Sequence, residues 1–252
     1  MSRAPRIVLV GTSHPGNIGA TARAMKTMGL SELHLVAPER FPDPQAVAMA
    51  AGAEDLLEQA CMHPTLPAAL AGCHWVAGLS ARPRSLSGPS LTARQAAQHL
   101  THLGEQTNAA LVFGRERTGL TNEELDLCHV RVNIPSNPEY GSLNLAAAVQ
   151  VVAYEWRMAM LDGPASPVEA PDTPGTPASS AALENFHAHL EEVLAEIGFL
   201  DRGNPRQLMR RLRRLSNRAQ PEVEEINILR GILSAIQGGR TRRPGGASDR
   251  NV

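Results

Sequence analysis

Apolar positions in the first 160 residues or so form short continuous runs, separated by longer stretches of helical periodicity. Residues 7–10 are all apolar and end at Gly11, a pattern typical of a strand buried on both faces. Similar runs predict strands at 33–36, 75–78, 110–113 and 130–134, and helices are predicted at about 17–28, 44–60, 91–103, 121–127 and 142–161. This alternation predicts an α/β fold, with a mostly parallel sheet and helices on both faces.

A proline-rich segment divides the chain. Residues 164–180 contain five prolines and only one large apolar residue, Val168, so they can add little to a core. We therefore predict four regions: an α/β domain at 1–162, a linker at 163–180, a small all-α module at 181–239 and a disordered tail at 240–252.

Three helices are predicted in the all-α module. The first ends at Gly198, and the third begins near Pro221 and runs to Gly238. The second opens at Asn204, an N-cap residue that is followed by proline at the first helical position. We expect its arginines to face outward and its leucines to face inward, namely Leu208, Leu212 and Leu215.

Charge is balanced overall but uneven along the chain. The 252 residues, 42% of them hydrophobic, suffice for one or two domains with a real core. Lys and Arg number 24 against 25 Asp and Glu, which excludes a global basic field. Between Asp201 and Arg218, however, seven arginines stand against one acidic residue. Such a cluster favours bidentate binding of phosphates, although a solvated charged face is the alternative.

Three cysteines are present, Cys61, Cys73 and Cys128, and no two form a C-x-x-C pair. This spacing argues against a disulfide framework and against a structural metal, and it predicts a cytoplasmic protein. No apolar run of about 18 residues occurs, so we expect neither a membrane span nor a secretion signal. The sequence shows no cluster of acidic residues that would indicate a magnesium site.

The first strand ends in a glycine-rich turn, Gly11 to Gly19, which precedes a helix. Such turns commonly bind phosphate at the helix N-terminus. The glycine spacing of a P-loop is present, but Asn17 and Ile18 replace the Lys and the Ser or Thr that a nucleotide requires, and G-x-G-x-x-G is absent. A nucleotide-binding enzyme with an aberrant P-loop is thus disfavoured, and a plain strand-to-helix turn is the alternative.

Two further polar loops follow predicted strands. Residues 114–120 place Arg115 and Glu116 directly after a buried strand, and residues 134–145 lead into the last helix of the domain. Because the carboxyl ends of parallel strands meet at one edge of the sheet, we expect the three loops to converge on one site.

These loops resemble the three motifs of the SPOUT RNA methyltransferases. The motif residues are Asn17, Gly19 and Arg23, then 113–120, then Ile134-Pro135 with 142–144. Among these enzymes, the stretches SHPGNIGATARAMKTMGL, LSARPR, LVFGRERTGLTNEEL and NPEYGSLNLAAAVQV resemble the TrmJ-type tRNA 2′-O-methyltransferases, over residues 5–160.

The resemblance implies a C-terminal trefoil knot in the sheet and S-adenosylmethionine as cofactor. True knots are essentially absent from ordinary folds, so pattern alone would not predict one. The implied cofactor-binding residues lie in the knot loops: Leu79, Ser80, Ala81, Gly114, Glu116, Gly119, Ile134, Gly141, Ser142 and Leu143. Glycine at 114 is expected where backbone approaches the ligand closely. Glu116 is expected to pair with an arginine of the site.

The implied reaction methylates a ribose 2′-hydroxyl of tRNA, at a cytidine or uridine at position 32 of the anticodon loop. Arg23 is the family's candidate base, but a guanidinium has a pKa above about 12. We expect it to clamp a phosphate or stabilise the developing alkoxide, while a water or the RNA takes the proton. Further catalytic candidates are Asn17, Tyr140, Ser142 and Asn144; a helix cap is the alternative role for Asn144.

Arginines are the expected contacts to substrate RNA, with solvated surface charge as the alternative. The candidates are Arg82, Arg84, Arg115, Arg117, Arg206, Arg210, Arg213 and Arg214. The resemblance also implies a homodimer with sites shared between subunits, with the helix after Gly16 and the helix at 142–161 supplying contacts. The alternative function is a catalytically silent RNA-binding protein of the same fold, which the intact motif residues disfavour.

Overall fold

The computed structural model describes residues 3–81, 90–163, 175–202 and 207–241. A seven-stranded sheet, parallel throughout, forms the centre of the first domain, with the strand order β3-β2-β1-β6-β4-β7-β5. The strands are β1 (Arg6–Val10), β2 (Leu33–Val36), β3 (Cys61–His63), β4 (Trp75–Leu79), β5 (Ser90–Thr92), β6 (Ala109–Phe113) and β7 (Val130–Asn133).

Helices cover both faces of this sheet, which confirms the predicted α/β fold class. They are α1 (Pro15–Thr27), α2 (Pro44–Ala50), α3 (Glu54–Glu58), α4 (Leu66–Leu70), α5 (Ala93–His102), α6 (Asn122–Asp126) and α7 (Leu145–Asp162). One buried apolar cluster lies between the sheet and α1, α5 and α7, and a second lies between the opposite face and α4 and α6. The implied knot stays a prediction, because strand order and register alone do not define one.

Each of the five strands predicted from apolar runs is present, and two short strands were not predicted. The unpredicted strands, β3 and β5, are three residues long and lie at the two edges of the sheet, where one flank is unpaired. The helix predicted at 44–60 is two helices, because Ala51 and Gly52 adopt positive φ angles of 44° and 94° between them. The long helix begins at Leu145, three residues later than predicted.

The C-terminal part consists of α8 (Ser180–Glu196), α9 (Leu208–Ala219) and α10 (Val223–Thr241). A small apolar cluster, which includes Leu183, Phe186, Ile226 and Leu233, joins α8 to α10. Gly198 follows α8 with a φ of 76°, as predicted for a helix C-terminus. The predicted cap Asn204 lies outside the described residues, and α9 begins at Leu208. Most of the predicted linker and nearly all of the predicted tail also lie outside them.

Polar contacts hold the three C-terminal helices, which we call the helical module, against the α/β domain. Ser180 donates through its amide and its Oγ to the carbonyl of Cys73, at 2.7 and 3.0 Å. Asn217 on α9 is buried and donates through Nδ2 to the carbonyls of Asp126 and Cys128, at 3.0 and 3.2 Å. The helical module is therefore docked on backbone carbonyls of the α/β domain, namely that of Cys73 and those at the end of α6.

The predicted orientation of α9 is wrong in part. Leu208 and Leu212 are half-buried and Arg211 and Arg218 are exposed, as predicted, but three other positions differ. Leu215 is 55% exposed, whereas Asn217 is buried and the side chains of Arg210 and Arg213 reach acidic residues of the same chain. The surface beneath α9 presents the carboxylates of Asp126 and Glu184 and the backbone carbonyls of Asp126 and Cys128 to these side chains. Arginine and asparagine therefore occupy the inward positions, and a leucine is left in solvent. Among the described residues, no helix is both long and apolar enough to cross a membrane.

Two helical glycines differ in the space around them and provide a matched test of the packing. A Cβ at Gly19 would overlap the carbonyl of Ala46, where α1 packs on α2, while a Cβ at Gly231 on α10 meets nothing within 4 Å. We expect Gly19→Ala to lower the free energy of unfolding by about 3 kcal/mol or more, through overpacking. Gly231→Ala should raise it by about 0.5–1 kcal/mol. Urea unfolding of both variants checks this, and equal effects would contradict the close packing at Gly19.

Candidate active site

A cavity opens at the carboxyl ends of β4, β6 and β7, which are neighbours in the sheet. The empty space within it, including its open mouth, is about 830 Å³. All of the residues predicted to bind a cofactor line it: Leu79, Ser80, Ala81, Gly114, Glu116, Gly119, Ile134, Gly141, Ser142 and Leu143. The structure thus brings three separate loops together, as the strand ends predict.

Five further lining residues were not among the predicted site residues, although Phe113 and Thr118 lie within the motif at 113–120. Phe113, Val132 and Leu145 are buried and form an apolar floor, and Ala148 and Thr118 complete the wall. Phe113 and Val132 lie at strand ends, while Leu145 and Ala148 are one turn apart on α7. Their positions at element boundaries were a usable signal, but their apolar character made them indistinguishable from core residues.

Glu116 organises the loops around the cavity. Its carboxylate accepts hydrogen bonds from the amides of Ser13 and His14, both at 3.2 Å, from Ser13 Oγ at 3.1 Å and from Asn17 Nδ2 at 2.9 Å. Among the described residues Glu116 forms no ion pair with an arginine, so the expected pairing is not found there. The donors at the start of α1 attract an anion, and the chain's own carboxylate takes that place instead of a phosphate.

These hydrogen bonds also set the protonation of Glu116. Burial alone would raise the pKa of the carboxyl, but the bonds from Asn17 and from the amides of Ser13 and His14 outweigh burial. They hold the pKa below its ordinary value of 4.5. Glu116 is thus ionised near neutral pH and holds no proton to give as an acid.

Asn17 and Asn144 extend the network to α7. Asn144 Nδ2 donates to Asn17 Oδ1 at 2.9 Å, while Asn144 Oδ1 accepts from the amides of Ala146 and Ala147 at 3.0 and 3.3 Å. Asn144 is therefore the N-cap of α7, which was the alternative interpretation of this residue, and it also contacts Asn17. A continuous path of side-chain hydrogen bonds joins Glu116, Asn17 and Asn144.

The other catalytic candidates take different positions. Ser142 is exposed and lines the cavity. Tyr140 is 84% exposed and does not line it, so the expectation that Tyr140 lies at the site is not met within one chain. Arg23 is exposed on α1, outside the cavity lining, and has no hydrogen bond or ion pair with a described residue.

Two contacts of the Glu124 carboxylate, an ion pair and a hydrogen bond from a backbone amide, fix the loop after β6. Arg115 Nη1 lies 3.0 Å from both carboxylate oxygens of Glu124, and the same carboxylate accepts from the amide of Thr121 at 2.7 Å. Arg115 is therefore tied to α6, whereas Arg117 is exposed at the cavity wall. A Cβ at Gly114 would overlap the backbone of Gly119 and Leu120, so the chain itself, rather than a ligand, requires glycine there.

Two of the predicted RNA-binding arginines of the helical module are paired within the chain. Arg210 forms an ion pair with Asp126, and Arg213 forms one with Glu184. Arg214 is half-buried. Three other candidates, Arg82, Arg84 and Arg206, lie outside the described residues.

The described residues near the cavity provide neither a cluster of metal ligands nor an activated cysteine nucleophile. The described residues contain no group of three or more His, Cys, Asp or Glu side chains arranged to hold a metal ion. Cys128 lies beneath α6, and burial raises the pKa of its thiol to about 12. A thiol with so high a pKa is not a nucleophile near neutral pH.

Comparisons with known proteins agree over both parts of the chain. Residues 4–154 match the SpoU rRNA Methylase family, and residues 181–247 match the C-terminal domain of the tRNA methyltransferase TrmJ. The tRNA (cytidine/uridine-2′-O-)-methyltransferase TrmJ of Photorhabdus laumondii is 52% identical over 232 residues, covering 92% of this chain and 96% of that protein. The TrmJ protein of Cronobacter sakazakii is 53% identical over 242 residues, covering 95% and 98%.

A solved structure also matches the whole chain. The crystal structure of TrmJ from Z. mobilis ZM4 superposes with a TM-score of 0.82 at 36% identity, covering 93% of this chain and all of that one. A probable methylase family protein from Haemophilus influenzae Rd KW20 is 43% identical with a TM-score of 0.61, covering 94% and 97%.

Replacing Glu116 tests the network through its pH dependence. Because the folded pKa is lowered, the carboxylate's contribution to stability is complete above the unfolded pKa of about 4.5 and is lost as the pH falls through the folded pKa. We expect Glu116→Gln to lower the free energy of unfolding by roughly 1–2 kcal/mol at pH 7. The difference from wild type should shrink below about pH 4.5. Urea unfolding between pH 3.5 and 8 measures it.

Glu58→Gln is the control for this experiment, because Glu58 is exposed on α3 and has no hydrogen bond with a described residue. It should leave the stability unchanged at every pH. Suppose that Glu116→Gln lowers the free energy of unfolding by the same amount at every pH. That result would contradict the assignment of Glu116 as an ionised carboxylate held by hydrogen bonds.

Proposed function

Because the chain belongs to the TrmJ family of SPOUT tRNA 2′-O-methyltransferases, we propose that it methylates a tRNA ribose with S-adenosylmethionine as donor. The target is the 2′-hydroxyl of a cytidine or uridine at position 32 of the anticodon loop, the nucleotide that the resemblance in sequence implies. The observation that carries the proposal is the cavity, which collects every residue predicted for the cofactor from three distant loops. The substrate places this activity in the cytoplasm.

The cavity suits a cofactor that has a flat aromatic ring and several polar groups. Its floor is apolar, at Phe113, Val132 and Leu145, while backbone groups of the three loops and Ser80 and Ser142 supply polar contacts along the wall. S-adenosylmethionine would bring an electrophilic methyl group to this site. The chain's own residues then have to orient the ribose for an in-line approach, and positioning of this kind supplies much of the rate.

Asn17, Glu116 and Asn144 act as positioning residues. Glu116 is occupied by four donors from residues 13–17, and Asn144 Oδ1 by two amides of α7. Their hydrogen-bonding capacity is largely used within the chain, so they set the distance between the loop after β6 and the starts of α1 and α7. Ser142, exposed at the cavity, offers a hydroxyl that can contact the ribose.

Arg23 is proposed to act across a homodimer. It is exposed and without a partner among the described residues, and it lies on α1, away from the cavity of its own chain. In a two-fold dimer it would reach the partner subunit's site, where a guanidinium can clamp a substrate phosphate or stabilise the developing alkoxide. A water or the RNA phosphate takes the proton, because the guanidinium keeps its own.

Two measurements test the proposed function. Mass mapping of 2′-O-methyl groups in tRNA from cells that lack this gene should show their loss at position 32, with restoration by the wild-type gene. Calorimetry should show binding of S-adenosylmethionine and none of ATP. Unchanged methylation in the deleted cells would contradict the reaction, and cofactor binding without any methyl transfer would favour a silent RNA-binding protein.

Arg23→Lys tests the clamp, because lysine keeps the charge but loses the two-pronged geometry. We expect methyl transfer to slow roughly tenfold in Arg23→Lys and about 100-fold in Arg23→Ala, with S-adenosylmethionine affinity unchanged. Single-turnover kinetics and calorimetry measure the two quantities. Arg40→Lys, at another exposed arginine without a partner in the described residues, is the control. An unaltered rate in Arg23→Lys would exclude a bidentate clamp.

A further inference from the structure

The arginines of α9 divide between two faces of the helix. α9 spans residues 208–219 and contains five arginines and no acidic residue. Positions 210, 213, 214 and 217 follow helical spacing on the inward face, and positions 211, 215 and 218 follow it on the outward face. The arginines of this short helix therefore form two sets, one on its inward face and one on its outward face.

The inward set is already paired. Arg210 binds Asp126 through two nitrogens, with a distance of 3.2 Å from Nη2 to Oδ1, and its side chain is 31% exposed. Arg213 binds Glu184 on α8. Burial raises the pKa of the Glu184 carboxyl, but the hydrogen bond with His187 and the charge of Arg213 outweigh burial and lower this pKa. Asn217 completes the contact by donating to carbonyls at the end of α6. These side chains hold the helix in place and have little free charge for an RNA.

The outward set is unpaired within the described residues. Arg211 and Arg218 are exposed, and neither has a hydrogen bond or ion pair with a described residue. Seven residues separate them, which at 1.5 Å per residue is about 10 Å along the helix axis, too far for both to bind one phosphate. Leu215 lies between them and is 55% exposed. We call Arg211, Leu215 and Arg218 the outer face of α9.

The outer face is linked to the cavity through α6, a helix of five residues. At its start Glu124 binds Arg115, which lines the cavity, and at its end Asp126 binds Arg210 on α9. Two ion pairs on one rigid turn and a half thus fix α9 relative to the loop after β6. The distance between the outer face and the reacting site is set by the fold rather than by the linker.

We propose that the outer face of α9 binds the tRNA backbone, with Arg211 and Arg218 contacting different phosphates while Arg210 and Arg213 only dock the helix. This rests on the proposed function, since it assigns the phosphate contacts of the same substrate. Free guanidinium groups are the side chains best suited to bidentate phosphate contacts. Such contacts position an RNA without reading its bases, so Arg211 and Arg218 should serve affinity rather than the choice between cytidine and uridine.

A pair of double variants in the full-length protein separates the two faces. Arg211→Gln/Arg218→Gln should weaken binding of unfractionated tRNA, taken from cells that lack this gene, roughly tenfold near 0.15 M salt. The slope of log K against log salt should become shallower by about two, one for each lost phosphate contact. The thermal midpoint and the affinity for S-adenosylmethionine should not change. Arg210→Gln/Arg213→Gln should instead lower the thermal midpoint and leave the salt slope close to that of wild type.

Arg40→Gln/Arg230→Gln is the matched control, because it removes two exposed arginines that lie outside α9 and have no partner in the described residues. An equal loss of slope in this control would show an effect of net charge and overturn the proposal. So would an unchanged slope in Arg211→Gln/Arg218→Gln, or an equal loss in the inward pair. If the wild-type protein methylates tRNA in the same preparation, each of these overturning results contradicts only the proposed role of the outer face. If the wild-type protein transfers no methyl group, the proposed function itself is contradicted.

Discussion

The carboxylate of Glu116 at the start of α1 is the interaction on which the site depends. Ser13, His14 and Asn17 donate to it from about 100 positions earlier in the chain, and Asn144 bonds Asn17 from the start of α7. A helix start in a glycine-rich turn would otherwise present unsatisfied amides to solvent or to a ligand anion. Because an internal anion satisfies them, three loops share one rigid edge, and the cavity lies between them.

Much of this arrangement follows from local sequence pattern. Continuous apolar runs identify the inner strands because both flanks of those strands are buried, and glycine-bearing polar loops at their ends identify the cavity residues. Where the pattern was insufficient, the missing information lay elsewhere in the chain or outside it. β3 and β5 are edge strands with little apolar signal. Arg23 lies outside the cavity lining and has no hydrogen bond or ion pair with a described residue, so no such contact within the described chain defines its role.

The orientation of α9 is a second case in which the local sequence pattern does not decide the structure. Helical periodicity places its leucines on one stripe, which is the ordinary signal for a buried face. What decides the outcome is the surface opposite, where Asp126, Glu184 and the carbonyls at the end of α6 favour arginine and asparagine. The net charge of −1 conceals this arrangement, because part of the arginine cluster is cancelled internally and only part of it remains for a polyanion.

The strand order has a consequence for the growing polypeptide. β7 lies between β4 and β5, two strands that precede it in the chain, so the sheet is incomplete until residues 130–133 have been made. The cavity also needs Leu145 and Ala148 from α7. A nascent chain on the ribosome therefore has no cofactor site until almost the whole α/β domain has emerged. The cavity is therefore completed late in the synthesis of this domain, and products of interrupted translation that end before α7 lack part of its lining.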